Sequence, residues 1–179
     1  AVRRTPFLNA GGYREHFFYM GEEGDLCLRL LNQGCVTICG RSDPIHHMES
    51  PLRNLALANR CGRRNDILFA WHNVPSVYLP FHLVATTYNG ICTGLAAWQP
   101  VEMLKGLLAG YAGCCSSSMK RRPVDASVYR LHRRLKKRIS LRFDDIESLL
   151  PPLNEGRAEA VGPEVNSATP SRPDSLPSR

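Results

Sequence analysis

Three acids fall within four residues of "GEEGDLCLRLLNQG", residues 21 to 34: Glu22, Glu23 and Asp25. Carboxylates placed just ahead of a leucine-rich helix have two uses. One is to cap the helix, whose free N–H groups and macrodipole favour negative charge. The other is to take a proton from a substrate hydroxyl, which needs a side chain ionised at neutral pH and within hydrogen-bond reach. Asp25 reads as the N-cap. Glu22 and Glu23 add mutual repulsion ahead of that cap, and crowded carboxylates point to chemistry more often than single ones do. A second polar cluster, "DPIHHMES", places His46 and His47 beyond the β-branched "CVTIC" of residues 35 to 39. A helix followed by a strand returns the chain toward the helix start, so these histidines are expected near the acids. There an imidazole serves as a metal ligand or a hydrogen-bond donor, the alternative being a pair of loop histidines.

The elements that must position these groups follow from composition and periodicity. With 179 residues and a hydrophobic fraction of 43%, the chain has material for one domain plus appendages. Its seven cysteines form no CxxC pair and no zinc spacing, which argues against a disulfide framework and for a reducing compartment. No leader pattern opens the sequence, and the first residue is Ala rather than Met, as expected of a trimmed chain. "YREHFFYM" reads as extended or loop, "DLCLRLLNQG" as a buried helix stopped by Gly34, and "CVTIC" as a strand. "SPLRNLALANRCGRRND" reads as a helix begun by Ser50 and Pro51.

Residues 67 to 101 contain no Asp, Glu, Lys or Arg, yet Pro75, Pro80, Asn73 and Asn89 interrupt them. That run reads as a bilayer-surface or buried segment rather than a membrane span. "PVEMLKGLLAGYAG" reads as a further apolar helix. In "DASVYRLHRRLKKR", Val128, Leu131 and Leu135 share one side and bases fill the rest, a pattern suited to an anionic surface or a plain solvated face. Residues 155 to 179 are rich in Pro, Ser, Gly and Glu and read as a disordered tail.

The first quarter of the chain resembles the C-terminal half of the catalytic domain of family 2 glycosyltransferases. The family pattern there is an Arg-rich strand, Gly-Gly-Phe-Asp-Glu-x-Phe-Phe, Glu-Asp-x-Asp-Leu-x-x-Arg-Leu, a Gly, a short strand and a closing Val-x-His. This sequence supplies Gly11, Gly12, Tyr13, Glu15, Phe17 and Phe18, then Glu22, Glu23, Asp25, Leu26, Arg29, Leu30 and Gly34, and then His47. The resemblance implies an α/β fold: a partial GT-A fold without its N-terminal nucleotide-binding half, followed by a mostly helical extension. It implies an inverting enzyme that moves a sugar from a nucleotide-diphosphate sugar to a glycan or lipid-linked acceptor.

On the matching positions Glu23 is the general base and Glu22 its neighbour, while Asp25 and Arg29 are acceptor-side or structural. His47 is a ligand of a divalent metal, Mg or Mn, and Arg64, beside Arg63 and Asn65, is a phosphate contact. The family's usual base is Asp, and Glu lengthens the arm by one methylene. The Asp-x-Asp motif that holds most of the metal has no counterpart here, since Asp144 and Asp145 come after the match. The expected organisation is therefore the C-terminal part of the catalytic domain at 1–66, a membrane-proximal apolar segment at 67–118, a basic helical region at 119–154 and the tail at 155–179. Such an enzyme works in cell-surface polysaccharide synthesis at the cytoplasmic face of the membrane. The rival expectation is a non-enzymatic module whose bases, clustered between residues 120 and 142, bind anionic membrane or nucleic acid.

Overall fold

A computed structural model describes residues 2–38, 54–116, 120–137, 142 and 144–153 and folds them into helices joined by turns. These are α1 (Arg4–Asn9), α2 (Glu22–Asn32), α3 (Leu55–Asn73), α4 (Leu79–Ala96), α5 (Pro100–Cys114), α6 (Ala126–Lys137) and α7 (Asp144–Glu147). Residues 39–53, which carry His46, His47 and the expected helix start at Ser50 and Pro51, lie outside the described residues, as does the expected tail.

No strand occurs among the described residues, which overturns the expected α/β architecture and with it the partial GT-A fold. The Arg-rich opening segment forms α1, and Cys35–Ile38 is irregular. Val36, Thr37 and Ile38 have strand-forming shapes, but a strand exists only when a neighbour offers its backbone groups, and none does so among the described residues.

α2 is specified locally. Leu26, Leu28, Leu30 and Leu31 are all buried, so this helix is enclosed on more than one side. It ends at Gly34: the Cys35 N–H donates to the Leu30 carbonyl and the Gly34 N–H to the Leu31 carbonyl, the paired bonds of a Schellman turn. α3 is capped by the Asn54 side chain, which accepts from the Leu57 N–H at 2.9 Å. It then runs unbroken across residues 66 and 67, where composition suggested a boundary. Pro80, read as an interruption, instead sits in the first turn of α4, as Pro100 does in α5, where a missing N–H costs nothing.

Two apolar clusters meet along α3. Ala70 and Val74 join Leu28 and Leu31 of α2, Val124, and Val128 and Leu131 of α6. Ile67 joins Met103 and Leu107 of α5. Against α5 the packing is close. A Cβ on Gly110 would lie 2.8 Å from the Ile67 Cβ and 2.9 Å from the Arg64 carbonyl oxygen, and one on Gly106 would press on the Arg60 carbonyl. α5 therefore lies almost backbone to backbone against α3. Gly110→Ala is expected to lower stability by about 1–3 kcal/mol. Gly24→Ala in the first turn of α2, where nothing lies within 4 Å, should raise it by about 0.5–1 kcal/mol. Urea unfolding of the two variants checks the opposite signs.

The C-terminus of α3 is closed by Arg121, whose guanidinium donates to the carbonyls of Trp71 and Val74 and lies 5.6 Å from the Trp71 ring centre. Among the described residues, no helix is long and apolar enough to cross a membrane.

Candidate functional site

The loop between α1 and α2 delivers the acids. Met20 and Gly21 are both left-handed, at φ 75° and 89°. Gly21 adopts this freely, whereas for Met20 it is unfavourable and must be held. Asn65 holds it: its Nδ2 donates to the carbonyls of Tyr19, at 2.8 Å, and Met20, at 2.7 Å. Arg64, the expected phosphate contact, donates to the His16 carbonyl at 2.7 Å and to Asn65 Oδ1 at 2.8 Å. In this structure the Arg64–Asn65 pair braces the loop that enters α2.

α2 begins at Glu22 with Gly21 as its N-cap, so Asp25 does not cap the helix. It lies inside the first turn, fully buried. Its Oδ1 accepts from Arg14 and from Asn73 Nδ2, the latter at 2.7 Å, and its Oδ2 accepts from Arg29 Nε at 2.8 Å. The Arg29 guanidinium also donates to the carbonyls of Ala10 and Gly12. One carboxylate thus ties the loop, α2 and the last residue of α3 together. Burial pulls Arg14 below the usual arginine range, and the charge of Asp25 opposes that shift.

Glu22 and Glu23, the first two residues of α2, lie where N–H groups lack intrahelical partners. Glu22 is half-buried, and its Oε2 is enclosed without a hydrogen-bond partner. Glu23 is exposed. The proposed base is therefore open to an incoming hydroxyl, on a helix start that Asp25 and Asn65 keep in place. Among the described residues, no set of three His, Cys, Asp or Glu side chains could hold a metal ion. His47 lies outside those residues, so the structure joins no histidine from that pair to the acids. No family model matches this chain, and neither a curated protein nor a solved structure matches it.

Beside the loop, Glu15, His16, Arg60 and Arg64 contribute to an open cleft of about 310 Å³. Neither Glu22 nor Glu23 lines it. The His16 and His72 rings face each other, with centres 4.6 Å apart. Burial, reinforced by the nearby Arg14 charge, lowers both imidazoles, His72 to about 4. Burial likewise lowers His82 to about 4, with Arg133 adding to the effect. Its Nδ1 lies 2.6 Å from the Tyr129 hydroxyl.

The stability consequence has a definite sign. These histidines are held neutral in the fold, while the unfolded chain takes up protons below about 6.5, so stability is full above that pH and falls toward pH 4. The urea midpoint is expected to drop between pH 7 and pH 5, and the drop should shrink in His82→Gln. An unchanged drop in that variant would remove His82 as a contributor.

Sequence reasoning missed four members of this region: Arg14, His16, His72 and Asn73. Asn73 meets Asp25 across 48 positions, and no periodicity or spacing marks such a pair. Arg14 and His16 sit in a segment read only for its glycines, its aromatics and Glu15.

Proposed function

We propose that the acidic turn is the acceptor-side carboxylate pair of an inverting family 2 glycosyltransferase, with Glu23 as general base. The observation that carries this reading is the division of labour among the three acids. Asp25 is consumed by a buried ion network, while Glu23 is exposed on the helix start that network fixes. The ordered motifs from Gly11 to Gly34 add to it.

In the reaction, Glu23 accepts the proton of an acceptor hydroxyl on a glycan or lipid-linked sugar. That oxygen then bonds to the anomeric carbon of a nucleotide-diphosphate sugar as the carbon–diphosphate bond breaks, inverting the configuration. Glu22, the first residue of α2, stands beside it at the helix start. A divalent metal, Mg or Mn, would neutralise the leaving diphosphate. Among the described residues no set of three His, Cys, Asp or Glu side chains supplies its ligands; His47 would contribute one. Arg64 stays available to a phosphate only through the donors it does not give to the loop. The setting is the cytoplasmic face of a membrane, in cell-surface polysaccharide synthesis.

The test is transfer of labelled sugar from a panel of nucleotide-diphosphate sugars by the enzyme, joined to its nucleotide-binding portion and carrying Glu23→Gln. Transfer at the unmodified rate would remove Glu23 as base and the reading with it. The nucleic-acid alternative has less support, because Tyr129, the aromatic residue of α6, is buried, and single strands bind on exposed stacking platforms.

A further inference from the structure

The α4–α5 hairpin carries its apolar residues on both sides. Its inner side packs on α3 through Met103 and Leu107. Its outer side has no partner among the described residues: Phe81, Val84, Tyr88, Ile91 and Leu95 are exposed along α4, at the three- and four-residue steps that make one stripe. Along α5, Val101, Leu104, Leu108 and Tyr111 repeat the pattern. The two stripes lie side by side, because the Thr87 and Tyr111 hydroxyls are 2.6 Å apart. At the turn between the helices Trp98 is 92% exposed and left-handed, at φ 54°. A bulky aromatic residue held in that conformation and bare to water is doubly unfavourable for the isolated chain.

We infer that this outer face rests in the interfacial layer of an anionic phospholipid bilayer, with the bases of α6 meeting the lipid phosphates. Charge decides between occupants. α4 contains no acidic residue, and the one on α5, Glu102, is paired with Lys105 at 2.7 Å. The apolar side of α6 is spent on the core through Val128 and Leu131, so Arg130, Arg133, Arg134, Lys136 and Lys137 are turned outward. Arg130 reaches the Tyr78 hydroxyl at 3.3 Å, beside exposed Val77 and Phe81. Bases therefore border the apolar stripe at the start of α4.

A second copy of this chain, at net charge +7, would bring like charge to that border, whereas an anionic headgroup layer offers the opposite sign. Exposed Trp and Tyr suit the same layer, where an amphipathic ring is half in hydrocarbon and half in water. An α4 of 18 residues is about 27 Å long, enough to lie along a bilayer surface with its stripe immersed. This surface deepens the membrane placement proposed above. Its binding does not need Glu23, so vesicle binding and sugar transfer can fail separately.

The experiment is flotation of the 179-residue chain with vesicles of phosphatidylcholine and phosphatidylglycerol, and with phosphatidylcholine alone, followed also by Trp emission. The wild-type chain should bind the mixed vesicles best, with a blue shift that Trp98→Phe diminishes. Phe81→Ser with Leu104→Ser should lower the partition coefficient at least roughly tenfold at unchanged helix content. Binding to the mixed vesicles that is indifferent to these substitutions would overturn the inference, since the bases alone would then carry it. So would absence of vesicle binding, including the case in which sedimentation velocity shows a dimer that the same substitutions dissolve.

Discussion

Asp25→Ala is expected to lower the unfolding free energy by about 3–5 kcal/mol, the usual result of removing one partner from a buried charge network. The carboxylate is fully enclosed and accepts from Arg14, Arg29 and Asn73. Its removal leaves two guanidinium groups facing each other in a poorly solvated space, and the loop loses one of its links to α3. Against a total stability of about 5–15 kcal/mol, that is enough to populate unfolded chain near body temperature. Urea unfolding followed by circular dichroism measures the loss. Replacing Arg14 by Leu in the same chain removes one stranded charge, so the double variant should recover part of it. A variant as stable as the parent would mean that the network is not what fixes the start of α2.

Glu23→Gln should behave in the opposite way, with little effect on folding and a large effect on turnover. Glu23 is exposed, so its replacement strands no partner and the urea midpoint should stay near that of the parent. Loss of a general base typically costs about 10²–10⁴ in rate. The loss is expected in kcat, with KM for the donor sugar little changed, since the carboxylate acts on the acceptor's proton rather than on donor binding. Glu23→Asp should restore a large part of the rate, as it returns the arm length usual in the family that the sequence resembles. Glu22→Gln should cost less, because Glu22 is the neighbour of the proposed base and not the base. Equal losses at both positions would point to a shared proton rather than a single base.

These two carboxylates mark how far the sequence could be read. The leucines of α2 and the stop at Gly34 were legible because both are local signals, one of periodicity and one of a turn. The apolar side of α6 was legible for the same reason: Val128 and Leu131 are buried and Leu135 is half-buried. Asp25 was legible as an acid near a helix start but not in its role, because what defines it is Asn73, far along the chain. The strand expected from "CVTIC" failed on a non-local condition, the need for a neighbouring strand. Pro80 misled because a proline that breaks a helix and one that opens it look alike until the preceding turn is known.

α3 carries a consequence for how this chain can be divided. Because it passes through residues 66 and 67 without a break, the part bearing the acids and the part bearing the apolar hairpin are not separable modules. A truncation after residue 66 would delete Ile67, Ala70, Asn73 and Val74, taking away the seats of both apolar clusters and the amide that steadies Asp25. The acidic turn and the exposed apolar hairpin are therefore inherited together, seated on overlapping stretches of one helix.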